Sequence, residues 1–368
     1  MKIVNTGNTY RLYGDDLKSY DKLPAQCYTV RCSQMSGFYL EKHADINVNE
    51  DKIYGCHLEK IDKVLRNFNA FKRNLGVILS GDKGIGKSLF AKLLAVKAIE
   101  QGLPLIIVDS FIPGIASYIE SIEQEVVVLF DEFDKTFGNI RSAENETEAQ
   151  SSMLTLFDGL AQGKKLFVIT CNELRKVSDY LVNRPGRFHY HFRFEYPTDA
   201  EIEEYLKDKI ETEYYDEIPK VISFSKKVQI NYDCLRAIAF ELSTGIPFET
   251  AIKDLNIINL DSERYNIYLY FENNTRLRYT NAYLDLFSDD ETCDIELYDN
   301  KSHNVVDVEF NTSDCVMDNT TGRLLVMAEN LNLTYIDYYK DEVEALKQSK
   351  PLYLVIERKV EKGIHYRV

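Results

Sequence analysis

The chain has 368 residues, 45% hydrophobic and 28% charged, and its 44 Lys and Arg stand against 59 Asp and Glu for a net charge of -15. That length suits two or three domains, and that composition excludes a disordered, collagen-like or coiled-coil chain. The acidic balance argues against general nucleic-acid binding, which draws on a surplus of Lys and Arg around phosphates; a local basic face stays open.

No apolar run approaches the roughly 18–20 residues of a membrane helix, and the opening MKIVNTGNTYRLYGDD holds no stretch of the kind a signal peptide uses. No membrane partner is expected, and the expected location is the cytoplasm. The seven cysteines are odd in number, scattered and without a C-x-x-C pair, which fits reduced thiols and not the usual zinc spacings.

Residues 1–50 carry short alternating pieces, CYTVRC and GFYLEK, broken by Pro24 and Gly37, and read as a β-rich N-terminal region. From 51 to 196 apolar runs alternate with amphipathic helices: Leu75–Leu79, Leu103–Val108, Val126–Phe130 and Leu166–Thr170. Runs without polar alternation suit parallel strands buried on both faces, so an α/β sandwich is expected. A last strand, His189–Tyr196, does alternate, with Tyr190, Phe192, Phe194 and Tyr196 on one side and His189 and His191 on the other. The two histidines lack a third ligand nearby and suit a sheet edge.

Pro197 ends that strand, and Thr198 with Glu201 has the spacing of a capping box. Apolar faces follow at Ile202, Tyr205, Leu206 and Ile210, at Leu235, Ile238, Ala239 and Leu242, and at Phe248, Ala251, Ile252 and Leu255, giving a small helical segment over 197–260. Over 261–368 the chain is strand-rich (YNIYLYF, CDIELYD, NVVDVEF, GRLLVMA, PLYLVIERKV), with one short helix near Asp341–Gln348. This β-rich C-terminal domain is acidic and forms no basic platform.

Chemistry concentrates in the 51–196 segment. Gly81, Asp82, Lys83, Gly84, Ile85, Gly86, Lys87 and Ser88 spell G-x-x-x-x-G-K-S between a buried strand and a helix marked by Leu89, Leu93 and Val96. Glycines let backbone N–H groups curl around phosphate oxygens with a helix N-terminus behind them. Lys87 then reaches the β- and γ-phosphates, and the Ser88 hydroxyl holds Mg²⁺. The strand Val126–Phe130 ends in Asp131 and Glu132. Two carboxylates there suit a cation site, with Asp131 helping to hold Mg²⁺ and Glu132 polarising the attacking water as general base. Asn172, after Ile169, Thr170 and Cys171, is placed to orient that water, or sits in an ordinary turn. Asn183, Arg184, Pro185, Gly186, Arg187 and Phe188 set two arginines around a Pro-Gly turn, guanidinium groups suited to phosphate.

In this order the elements resemble the AAA+ ATPases, and within them the AAA-proper branch of protein remodellers, over about 51–256. The resemblance implies a P-loop NTPase sandwich with the 197–260 helices as its lid, binding of ATP and Mg²⁺, and hydrolysis. It also implies a self-assembled ring, a hexamer, whose sites the neighbour's Arg184 and Arg187 complete as arginine fingers. Leu154 to Gly159 looks like the family's helix before the fourth strand, and Asn172 takes the sensor-1 position. Ile53, Tyr54 and Gly55, after Lys52, resemble the adenine-contacting turn, and Phe90 is counted with the nucleotide-binding residues. Arg236 lies where a sensor-2 arginine would, and either reaches γ-phosphate or is a solvated helix arginine. Ser110, Phe111, Ile112, Pro113 and Gly114 depart from the usual pore loop; Phe111 and Ile112 either grip a polypeptide or pack inside the subunit. Glu144–Glu148 is a solvated loop or a second pore loop.

Whole-chain flavour, including the run MSGFYLEKHADINVNEDKIYG, is similar to AAA ATPases of tailed bacteriophages, which implies the cytoplasm of an infected bacterium. The functional expectation is an ATP-driven ring that remodels or unfolds a protein partner. A nucleic-acid-directed factor of clamp-loader or helicase-loader type and a nucleotide-gated structural ring are the competing readings.

Overall fold

The computed structural model describes residues 1–48, 52–55, 57–138, 149–158, 163–178, 180–182, 184–257, 264–284, 286, 292–318, 323–336, 338 and 340–359. Contacts divide the chain into two units, Met1–Glu195 and Tyr196–Val368.

The first unit opens with a hairpin of β1 (Lys2–Thr6) and β2 (Thr9–Tyr13), followed by β3 (Cys27–Ser33) and β4 (Gly37–Lys42). Then come α1 (His57–Ala70), β5 (Leu75–Ser80), α2 (Lys87–Glu100), β6 (Leu105–Val108), α3 (Ile115–Glu120) and β7 (Val126–Phe130). Three short helices follow, α4 (Phe133–Thr136), α5 (Ala149–Ser152) and α6 (Leu154–Asp158), and the strands β8 (Lys165–Cys171) and β9 (Tyr190–Arg193) close the series. The sheet runs β4-β3-β6-β7-β8-β5-β9, parallel except for β4. β5, β7 and β8 are buried at every residue. Their uninterrupted apolar runs suit a sheet covered on both faces. Phe130 at the end of β7 meets the rings of Phe133, Phe137 and Phe157 at 5.7 to 5.9 Å.

The expected N-terminal region does not stand apart from this sheet. β3 pairs parallel with β6, Cys27 opposite Leu105 and Thr29 opposite Ile107, and Cys27 to Val30 are buried. The backbone groups along β6 need partners on that side as well, and the apolar run CYTV supplies them together with a buried face. The domain boundary drawn at residue 50 therefore cuts through one sheet. The hairpin of β1 and β2 is its own two-stranded sheet.

In the second unit Thr198 caps α7 (Asp199–Lys209) with the reciprocal capping box its sequence predicts. The helices α8 (Ile218–Lys227), α9 (Tyr232–Ser243) and α10 (Phe248–Asp254) follow. The strands are β10 (Arg264–Phe271), β11 (Arg276–Tyr283), β12 (Thr292–Tyr298), β13 (Asn304–Asn311), β14 (Val316–Asp318), β15 (Arg323–Met327), β16 (Asn332–Tyr335) and β17 (Pro351–Arg358), with α11 (Lys340–Lys347) before the last. They form an antiparallel sheet in the order β14-β15-β17-β10-β11-β12-β13-β16. Tyr265, Ile267, Leu269 and Phe271 of β10 face its core, and the residues between them do not. Helices and sheet are joined within this unit: Tyr265 donates its hydroxyl hydrogen to the Lys227 carbonyl at 3.0 Å, and Arg358 donates to the Ser225 carbonyl at 3.4 Å.

Candidate functional site

The loop from Gly81 to Gly86 leaves the end of β5 and enters α2. Gly81, Gly84 and Gly86 have φ of 141°, 74° and 97°, a region L side chains rarely adopt. A Cβ on Gly81 would sit 2.5 Å from the Phe194 carbonyl oxygen, and one on Gly86 would sit 2.9 Å from His57 Nε2. The N-terminus of α2 has no side-chain cap, so its first backbone N–H groups are open toward the loop. Lys87 is buried, and its Nζ donates to the Gly81 carbonyl at 2.6 Å and to the Asp82 carbonyl. Burial lowers its pKa, against the pull of Cys171, Asp82, Asp134 and Asp131. Ser88, the second residue of α2, is exposed.

β7 delivers Asp131 and Glu132 at its end, and β8 fixes both through Thr170. The Thr170 hydroxyl donates to Asp131 Oδ1 at 2.6 Å and accepts from the Glu132 backbone N–H at 2.8 Å. Glu132 has φ 47°, left-handed and uncommon for a residue other than glycine. Its carboxylate accepts from Lys135 Nζ. The Lys135 hydrogen bond holds the Glu132 carboxyl below the usual carboxylate range, with smaller help from Asn172 and Lys83. Asn172 lies just past β8 with its Nδ2 buried; that amide is near enough to the Glu132 carboxylate to help lower its pKa but makes no hydrogen bond of ordinary geometry to a described residue.

Two participants escaped the sequence reading. One is Thr170, noted only as strand. The other is Asp134, 1% exposed, whose Oδ2 accepts from the Glu173 N–H at 3.0 Å and whose Oδ1 is unpartnered among the described residues. An acidic residue between Phe133 and Phe137, one helical turn after Asp131, was the available signal for the latter. The tight glycine turn, the lysine curled over it, the open helix end and these buried polar atoms fit a polyphosphate with its divalent cation.

The turn at Ile53, Tyr54 and Gly55 is tied to the loop by His57. Tyr54 is buried, Ile53 half-buried, and Gly55 has φ 71°. His57 Nδ1 lies 3.0 Å from the Tyr54 carbonyl oxygen, and its ring packs on Phe90 and Phe194 at 6.0 and 5.2 Å. Phe90 does not face a ligand. It is 0% exposed, among His57, Phe192 and Phe194. Its apolar ring supports the loop from the core.

The two arginines differ. Arg184 is exposed, 5.7 Å from the centre of the Tyr180 ring. Arg187 is held inside its own chain: Nε and Nη2 donate to both carboxylate oxygens of Asp158, the latter at 2.7 Å, and Nη1 donates to the Tyr180 carbonyl at 2.6 Å. This pairing lowers the Asp158 pKa and raises that of Arg187. Of the two arginines the resemblance implies as fingers, Arg184 is exposed while Arg187 is held by Asp158, because a bidentate carboxylate is the stronger local partner. Asn183 and Gly159 lie outside the described residues, as does Glu144–Glu148. Arg236 belongs to the second unit, on α9, with its side chain 61% exposed and 4.0 Å from Asp233. Phe111 and Ile112 are half-buried, and Phe111 packs against Phe137 at 5.7 Å. Phe38 of β4 stacks on Tyr118 at 5.1 Å and lies over Gly114. The intramolecular packing of this loop, left open by the sequence, is what the structure shows.

Residues 77–196 match the family model described as "ATPase family associated with various cellular activities (AAA)". The chain is also 28% identical over 184 residues to the ATP-dependent zinc metalloprotease FTSH 9, chloroplastic/mitochondrial, of Oryza sativa subsp. japonica, covering 43% of this chain and 23% of that protein. It is 30% identical over 148 residues to the ATP-dependent zinc metalloprotease FtsH of Aster yellows witches'-broom phytoplasma (strain AYWB), covering 36% and 21%. Similarity to the ATPase family AAA domain-containing protein At1g05910 of Arabidopsis thaliana is 28% over 138 residues, covering 33% and 11%. The chain thus spans less than a quarter of the length of each of these relatives. With the parallel sheet and the glycine loop in place, residues 77–196 are an AAA ATPase domain, distantly similar to the FtsH-type AAA proteins.

Proposed function

We propose that the protein is a Mg²⁺- and ATP-dependent AAA+ motor that assembles as a ring, a hexamer by family likeness, and remodels or unfolds a protein partner. The observation that carries the hydrolytic part is the meeting of Glu132 and Asn172 at adjacent strand ends, the buried Asn172 amide close enough to the Glu132 carboxylate to help hold it below the usual carboxylate range. Lys87 and the first N–H groups of α2 would bind the phosphate chain. Ser88 and Asp131 would hold Mg²⁺, which when bound neutralises phosphate charge. Glu132, ionised at neutral pH like any carboxylate of ordinary or lowered pKa, takes a proton from the attacking water. Asn172 orients that water, and Thr170 and Asp134 hold the two strand ends in register.

The ATP-dependent action named for two of the relatives supports a remodelling role. In the ring Arg184 is the finger that reaches the neighbour's nucleotide, since Arg187 is engaged by Asp158 in its own chain. The likeness to tailed-phage proteins supports an infected bacterium's cytoplasm as the location. Stimulation of ATP turnover by an unfolded polypeptide and not by DNA would favour remodelling over a clamp-loader or helicase-loader role.

Glu132→Gln tests the chemistry. It is expected to bind Mg·ATP as the parent does and to lose about 10²–10⁴-fold in turnover. Turnover within about tenfold of the parent would remove Glu132 as the base.

A further inference from the structure

Five of the eight strands of the C-terminal sheet sort their charges, while β14, β15 and β17 between them carry both signs, with Arg323 paired to Glu357 at 3.3 Å. β10 and β11 carry Arg264, Arg276 and Arg278 and no Asp or Glu. β12, β13 and β16 carry Asp294, Glu296, Asp307 and Glu309 and no Lys or Arg. Strand alternation puts each set on the outer face, because the residues between them, such as Leu277, Ile295 and Val308, fill the core. Among the described residues β11 and β12 share one registered pair, Arg278 opposite Tyr298.

On the acidic half, Asp294 stands directly opposite Glu309, and Glu296 directly opposite Asp307. Like charges in that position repel. None of the four has a cationic partner among the described residues; Glu309 accepts from Asn332 at 3.0 Å and Glu296 from Tyr298 at 2.6 Å. On the other half, Arg276 lies 5.0 Å from the centre of the Tyr268 ring, and Arg278, paired across from Tyr268, has no carboxylate partner among the described residues. Arg276, Arg278, Asp294, Glu296 and Glu309 are exposed. Stacked, weakly hydrated guanidinium groups beside tyrosines suit a carboxylate partner.

We propose that this sheet is a head-to-tail contact between copies of the chain, the carboxylate strands of one copy seated on the arginine–tyrosine strands of the next. Both surfaces of such a contact are present on every copy and differ from each other. That permits a heterologous interface, which closes into a ring or runs on as a filament, whereas assembly that stops at two copies in sedimentation velocity would mark a two-fold face-to-face contact and overturn it. The inference rests on the reading of the protein as a ring, and adds a second belt of contact outside the ATPase domain.

Charge reversal in the full-length chain tests it. R276E/R278E makes both surfaces acidic, and D294R/E296R/D307R/E309R makes both basic. Each variant alone is expected to need at least about tenfold more protein to assemble, since like-charge juxtaposition is costly. Mixed in equal amounts, the two variants present complementary surfaces at every contact, and assembly should return to the parent's midpoint in sedimentation velocity. The parent's own midpoint should rise with added salt. Unchanged circular dichroism and melting of each variant would separate a lost contact from a lost fold. Variants that assemble like the parent, with and without ATP, would overturn the contact while leaving a ring held by the ATPase domains. A parent that stays monomeric at all concentrations, with and without ATP, would overturn both. Loss of single-stranded oligonucleotide binding in R276E/R278E with assembly intact would also overturn it, and would assign the arginine face to nucleic acid.

Discussion

β7 and β10 are both rich in apolar residues, yet they bury them differently. Every residue of β7 is enclosed, while β10 encloses every second one. A strand covered on both faces offers the solvent only its end, so the candidate site lies where β7 and β8 stop, at Asp131, Glu132, Thr170 and Asn172. A strand covered on one face offers the solvent a row of side chains, so β10 to β13 present surfaces suited to contact.

The largest expected effect lies at the strand ends and divides the two arginines. Arg184→Ala should lower ATP turnover by roughly 10³-fold or more. Mixing it with Glu132→Gln chains should restore phosphate release, because some interfaces then join an intact Glu132 to an intact Arg184. Arg187→Ala, whose guanidinium is spent on Asp158 and Tyr180, should show no such rescue. Rescue by Arg187→Ala in place of Arg184→Ala would reverse the assignment.

Next in size is packing. Phe130→Ala, in the doubly covered sheet, is expected to cost about 3–5 kcal/mol. Tyr268→Ala, on the outer face of the singly covered one, should cost about 1 kcal/mol through lost cation–π and area terms. Urea unfolding followed by tryptophan-free signals such as far-UV circular dichroism checks both. Equal costs would remove the distinction between the two sheets.

Buried thiols set the alkaline limit of each unit. Burial pushes Cys27 up to about 11 and Cys171 to about 12 in the first unit, and Cys315 to about 12 in the second. A thiol whose pKa is raised by folding adds stability that is complete below its unfolded value near 9 and is lost as pH rises through the folded value. Thermal midpoints should therefore fall from about pH 9 upward in both units. Cys171→Ala should flatten the fall of the first unit only, as read by hydrogen exchange of its strands.

The smallest effect concerns the carboxylate pairs. Glu296→Gln removes one like-charge pair with Asp307 and should stabilise the isolated chain by about 0.2–1 kcal/mol. Denaturant melts below the assembly concentration would show it, and no gain would mean that the outer carboxylates are fully screened.

Local pattern was enough for much of this molecule. The glycine loop, the carboxylates after β7, the capping box at Thr198 and the alternation of β10 are written in short stretches, because backbone sterics and strand or helix periodicity act over a few residues. Relations between distant residues were not legible in the same way. The pairing of β3 with β6 depends on which edge of the parallel sheet needed a strand, and the capture of Arg187 by Asp158 joins residues 29 positions apart. Phe90 reads as a helix residue next to a phosphate loop, and only the packing of His57, Phe192 and Phe194 around it places it in the core. Asp134 reads as one more acidic residue until the fold buries it to 1% exposure and the Glu173 N–H donates to it. In each case the deciding energy comes from burial and from partners brought near by the fold, which no window of the chain contains.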